Sequence, residues 1–137
     1  MELDDITGAV VEEAIRIHRD LGPGLLESVY ERLLGSALQR RGLRVEHQRA
    51  IDFLYEGVEF EDGFRLDLLV EERVIIEVKS LDRLAPVHTR QLLTYLRLTN
   101  LRIGLLLNFG GGTMKEGIKR IVKDLPPSAS PRLRINQ

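Results

Sequence analysis

The stretch from Phe64 to Ser80 constrains the fold of this chain most. Its even positions 66, 68, 70, 74, 76 and 78 are Leu, Leu, Val, Val, Ile and Val. Its odd positions 65, 67, 69, 71, 73, 75, 77 and 79 are Arg, Asp, Leu, Glu, Arg, Ile, Glu and Lys. Successive side chains of a strand point to opposite faces, so this period-two pattern predicts a hairpin. One face is expected to be wholly apolar and the other to carry the charges. Parity also sets the register. Cross-strand partners share a face, so even positions pair with even ones, which requires an odd loop. The simplest is Glu71-Glu72-Arg73, with Val70 opposite Val74 and Asp67 opposite Glu77; a bulge would break this inference.

Helical patterns precede the hairpin. Ile6, Val10, Ala14, Ile17 and Leu21 recur at steps of three and four, predicting a helix over 6–20. Gly22-Pro23-Gly24 ends it. A second helix is expected over about 26–41, with Leu26, Val29, Leu33 and Ala37 on its apolar face and Gly42 as its stop. Residues 43–54 read as a strand, and Glu56-Gly57 and Glu61-Asp62-Gly63 read as turns.

After the hairpin, Pro86 suits the first turn of a helix over 86–99, with Leu92, Leu93 and Leu96 on its apolar side. Residues 101–108, LRIGLLLN, predict a strand covered on both faces. Gly110-Gly111-Gly112 reads as a flexible turn, and Thr113 is placed to cap a last helix ending near 123. The order α-α-β-β-β-α-β-α predicts an α/β fold, a mixed sheet flanked by helices. One domain is expected over 1–125, followed by a Pro- and Ser-rich tail over 126–137 that reads as a loose end or an edge strand.

The net charge of −1 hides a split. Residues 1–78 hold 9 Arg, no Lys and 18 acids, whereas residues 79–137 hold 11 Lys+Arg and 3 acids. Such asymmetry hints at a charged partner. The chain has no Cys, which excludes disulfides and thiolate metal sites and fits a reducing cytoplasm. No apolar run reaches membrane-spanning length, and the opening residues carry no signal-peptide pattern, so a cytoplasmic protein without a membrane partner is expected. The Gly run lacks the GKS/T end of a P-loop, and neither GxSxG nor HExxH occurs.

The charged face of the hairpin is the best place for chemistry. Glu77 and Lys79 project the same way from one strand, and Asp67 projects beside them from the next. Two carboxylates that close repel each other unless protonated, paired or bridged by a cation, and a hard divalent ion with oxygen ligands is a natural bridge. A solvent-facing hairpin with a cross-strand ion pair, Arg65 included, is the plainer reading of the same spacing. Glu27 in the first helical turn suits the helix dipole equally well. Gln91 and Tyr95, four apart, share a helix face that His88 borders, either as a boundary strip or as a strip over a site. His18 flanks the apolar stripe of the first helix.

Asp67 followed by Glu77-Val78-Lys79 resembles the D…(D/E)xK core of the PD-(D/E)XK nuclease superfamily. Gln91 and Tyr95 match the QxxxY helix motif of several of its branches, and Gly24 through Tyr30 fits GxxExxY, the signature of one small family within it. Leu66 stands where the superfamily pattern has proline. The resemblance implies a restriction-endonuclease-like core and hydrolysis of phosphodiester bonds with Mg²⁺ or Mn²⁺. Asp67, Glu77 and the Val78 carbonyl would ligate the ion, with Glu27 as a further acid and His18 a lesser candidate. Lys79 would position the attacking water, with Gln91 and Tyr95 beside it. The expected substrate is nucleic acid, DNA in particular, cut by structure or end because no recognition domain is present. The alternative is a non-catalytic module that binds nucleic acid or protein on the same fold. A homodimer is among the assemblies the resemblance implies.

Overall fold

The structure, a computed structural model, describes residues 1–123 and the backbone of 133–135. Helix α1 (Leu3–Leu21) begins before the expected 6–20 and buries Ile6, Val10, Ala14 and Ile17 as anticipated, while Leu21 stays exposed. Helix α2 (Glu27–Arg40) has nearly the expected extent but turns a different face inward. Leu26, Val29 and Leu33 are 74%, 38% and 39% exposed, whereas Tyr30, Leu34 and Leu38 are fully buried. Two apolar stripes compete on this helix. The one with Tyr30 wins because its ring stacks on Phe109 at 4.4 Å and its hydroxyl finds backbone partners.

Strands β1 (Val45–Tyr55) and β2 (Val58–Val70) form a long antiparallel pair across Glu56-Gly57. Both turn residues have positive φ, 50° and 83°, the twist that suits a two-residue hairpin loop. The second expected turn, Glu61-Asp62-Gly63, is instead an irregularity inside β2. The register slips between Ile51 and Phe53, and the Asp62 N–H donates to Asp52 Oδ1 at 2.7 Å. A Cβ at Gly63 would lie 2.3 Å from the Phe53 ring, so any larger residue there would have to push that ring aside.

Strand β3 (Val74–Lys79) pairs with β2 in the register parity dictates: Val70 with Val74, Leu69 with Ile75, Leu68 with Ile76. Helix α3 (Pro86–Thr99) then carries the chain to β4 (Ile103–Asn108), parallel to β3 and buried along its whole length. The expected last helix is a single turn, α4 (Met114–Gly117), followed by strand β5 (Ile118–Val122) antiparallel to β4. Ile118, Ile121 and Val122 are β-branched, and pairing satisfies the edge of β4 that a helix would leave open. Strand β6 (Leu133–Ile135) pairs with β1 as an edge strand; residues 124–132 and 136–137 lie outside the described residues.

The fold is therefore α/β, a mixed sheet of order β5-β4-β3-β2-β1-β6 with helices on both faces. One core lies under α1 and α2 and takes Leu68, Val70, Val74, Ile76 and Val78. The other lies under α3 and takes Leu69, Ile75, Leu92, Leu96 and Leu106. Both faces of the hairpin are thus covered, which overturns the solvent-facing reading. Leu66 also belongs to the α3 side, so the alternation breaks between Leu66 and Leu68. No helix among the described residues is long and apolar enough to cross a membrane.

Candidate active site

The alternation breaks at Asp67, where β2 stops pairing with β3 by its backbone. The Asp67 N–H donates to Glu77 Oε2 at 3.0 Å, and the Val78 N–H donates to Asp67 Oδ2 at 2.8 Å. Each strand thus lends an amide to the other's carboxylate, and the two acids face each other as parity required.

Glu77 is 4% exposed and Asp67 is half-buried. Burial, then repulsion by Asp67, pushes the Glu77 carboxyl up to about 8; Glu31 adds to the push, and the Asp67 N–H and Lys79 oppose it. Lys79 is half-buried at the end of β3. The end of β3 is fixed from two sides. The Phe109 N–H donates to the Lys79 carbonyl at 2.8 Å. Asn108 clasps Leu81, accepting its N–H at 2.8 Å and donating to its carbonyl at 2.9 Å. Gly110 belongs to this clasp and is no free turn, because a Cβ would lie 2.2 Å from the Leu81 carbonyl oxygen.

The other expected residues divide. Glu27 comes to the edge of the site, its Oε2 accepting the Ser80 N–H at 3.3 Å, while Ser80 Oγ donates to the Leu25 carbonyl at 2.8 Å. Tyr95 lies over the acids on α3, stacked on Phe64 at 4.3 Å. Its phenol is pushed up first by burial and then by Glu77 and Asp67. Gln91 is exposed one turn earlier on α3. His88 caps its own helix, Nδ1 accepting the Ala85 N–H at 2.9 Å. His18 is buried, with Nε2 2.9 Å from the Gly111 carbonyl. Tyr30 has a structural place: its hydroxyl donates to the Gly22 carbonyl at 2.6 Å and accepts the Leu25 N–H at 3.2 Å.

Two residues escaped the sequence reading. Glu31 is 8% exposed, and its carboxyl is raised, mainly by burial, with Asp67 adding repulsion. Gln48 Nε2 joins it to the pair, 2.8 Å from Glu31 Oε1 and 3.2 Å from Asp67 Oδ1. Glu31 had a signal, because it falls three and seven residues before Leu34 and Leu38 and so puts a carboxylate on an apolar stripe. Gln48 had none, since its partners come from other elements.

The donors are carboxylate oxygens, the chemistry that suits a hard divalent cation. Asp67 and Glu77 already face each other and repel, so the pair fits such an ion. Among the described residues no three His, Cys, Asp or Glu converge as a ready-made cage, and Glu27 in particular does not close around the pair.

A helix-flanked mixed sheet with two acids on adjacent antiparallel strands and a lysine two residues beyond the second defines a class, the restriction-endonuclease-like nuclease core. A model of the PD-(D/E)XK nuclease superfamily matches residues 4–121, and the chain belongs to that superfamily. Neither the curated proteins nor the solved structures give a match.

Proposed function

We propose that this protein is a metal-dependent nuclease that hydrolyses phosphodiester bonds in DNA, directed by structure or ends and not by sequence, in the GxxExxY branch of its superfamily. The observation that carries the reading is the facing pair of Asp67 and Glu77, held by reciprocal backbone bonds with Lys79 alongside. Such a pair is costly unless a proton or a cation lies between the carboxylates.

Asp67, Glu77 and the Val78 carbonyl would hold Mg²⁺ or Mn²⁺. When bound, the ion acidifies a ligated water and offsets charge on the phosphoryl oxygens. Lys79 places its ammonium beside the acids, where a phosphate oxygen gains charge in the transition state. Tyr95 closes the α3 side and offers a phenol that stays protonated, so it donates and does not repel. Gln91, one turn away, reaches for the same phosphate from solvent. Glu27, on Ser80, orders the loop that follows Lys79. Exposed Arg90 and Arg97 on α3 supply backbone-phosphate contacts, which carry no sequence information.

The test is cleavage of labelled single-stranded, duplex, flap and junction DNA with Mg²⁺ or Mn²⁺. Wild type is expected to cut at least one substrate and Lys79→Ala to lose the activity by 100-fold or more, on the order of a preorganised charge contact. Equal behaviour of the two proteins on every substrate refutes catalysis at this site and leaves a binding module on the nuclease fold.

A further inference from the structure

Gln48 has a backbone that needs explaining. Its φ is +50°, in the region that residues with a side chain seldom occupy. The β1–β2 ladder runs through His47 with Leu68 and Arg49 with Leu66, skipping Gln48 and Asp67 between them. At the same point Leu66 and Leu68 go to opposite cores, although residues two apart on a regular strand share a face. The irregularity sends the Gln48 side chain toward α2, where Nε2 meets Glu31 and Asp67 together.

Packing does not hold that side chain, because Gln48 is exposed. What holds it are two carboxylates, one on α2 and one on β2. A primary amide is suited to this place. Its two N–H groups satisfy one acid each, and it adds no charge to a cluster that already repels. Lysine would pair with the acids and compete with a cation, and glutamate would have nothing to donate.

We propose that Gln48 is a positioning residue: by bonding Glu31 and Asp67 at once, it fixes the Asp67 carboxylate in the orientation that receives the divalent ion. This rests on the metal-dependent reading of Asp67 and Glu77. Partners one step removed from a metal set the direction of its ligands, and losing one typically weakens metal binding 10- to 100-fold.

Gln48→Gly separates positioning from folding. Glycine accepts φ +50° without strain, so the backbone is retained while the amide is removed. Mn²⁺ titration by calorimetry and urea unfolding in EDTA are read on wild type and variant. The expected result is a variant that still unfolds cooperatively in urea, with a Mn²⁺ Kd raised about 10- to 100-fold. Gln48→Asn also tolerates the left-handed backbone but is one methylene short of spanning both acids, and it is expected to weaken Mn²⁺ binding as well. If wild type binds Mn²⁺ and both variants match it within twofold, the positioning role is overturned while the nuclease reading stands. If wild type binds no Mn²⁺, the nuclease reading falls, and this role with it.

Discussion

Replacing Glu77 by Gln should make the metal-free protein more stable above neutral pH, although it alters a fully enclosed polar side chain. The Glu77 carboxyl titrates near 4.5 when unfolded and is pushed up to about 8 in the fold, by burial first and by Asp67 second. The folded chain therefore binds a proton there that the unfolded chain has released between those values. Stability contributed by the neutral carboxyl is complete below 4.5 and is lost as pH rises through about 8. At about 1.4 kcal/mol per pH unit, the loss approaches roughly 5 kcal/mol by pH 9. Glutamine keeps an oxygen to accept the Asp67 N–H and never ionises. Urea unfolding in EDTA at pH 5 and pH 9 measures the effect. Wild type should lose several kcal/mol between the two, and Glu77→Gln should lose much less and unfold at the higher urea concentration at pH 9. Glu31, raised in the same direction, leaves the variant a smaller residual slope. Parallel pH dependence in the two proteins, or a variant less stable at pH 9, would refute the reasoning.

Three further outcomes follow from the packing. Tyr30→Phe removes a buried hydroxyl that joins the Gly22 carbonyl to the Leu25 N–H and should cost about 1–3 kcal/mol in urea unfolding. Gly110→Ala forces a Cβ onto the Leu81 backbone and should lower the thermal midpoint markedly, by about 2 kcal/mol or more in stability, because backbone cannot swing aside as a side chain can. On α2, Leu34→Ala should cost about 2–5 kcal/mol, whereas Leu33→Ala, on the 39%-exposed stripe, should cost about 0.5 kcal/mol or less; comparable losses would contradict the inward face described for this helix.

Much of the site was legible because its acids lie on one hairpin. Parity depends only on local alternation, so it placed Val70 against Val74 and brought Asp67 to Glu77. Helix α3 was legible for a similar reason, with Pro86 at its start and one apolar side. The inward face of α2 was not, because Leu26-Val29-Leu33 and Tyr30-Leu34-Leu38 have the same period, and only the neighbours, Phe109 above all, decide between them. Strand β5 reads in the sequence as the end of a helix because nothing in residues 118–122 reveals that the edge of β4 lies beside them. The Asp62 irregularity and the Gln48 kink carry turn-like residues or none, yet both sit inside strands whose pairing continues on either side. The link from Glu31 through Gln48 to Asp67 joins α2, β1 and β2, contacts that spacing along the chain does not encode.

Asp67 and Glu77 are proposed to share a divalent cation. A crystal soaked in Mn²⁺ and measured at the manganese absorption edge tests it most directly. The account predicts an anomalous peak about 2.1–2.3 Å from a carboxylate oxygen of each residue, with the Val78 carbonyl in the same shell. A protein that binds Mn²⁺ elsewhere, or shows no peak between these two carboxylates at saturating ion, would contradict it.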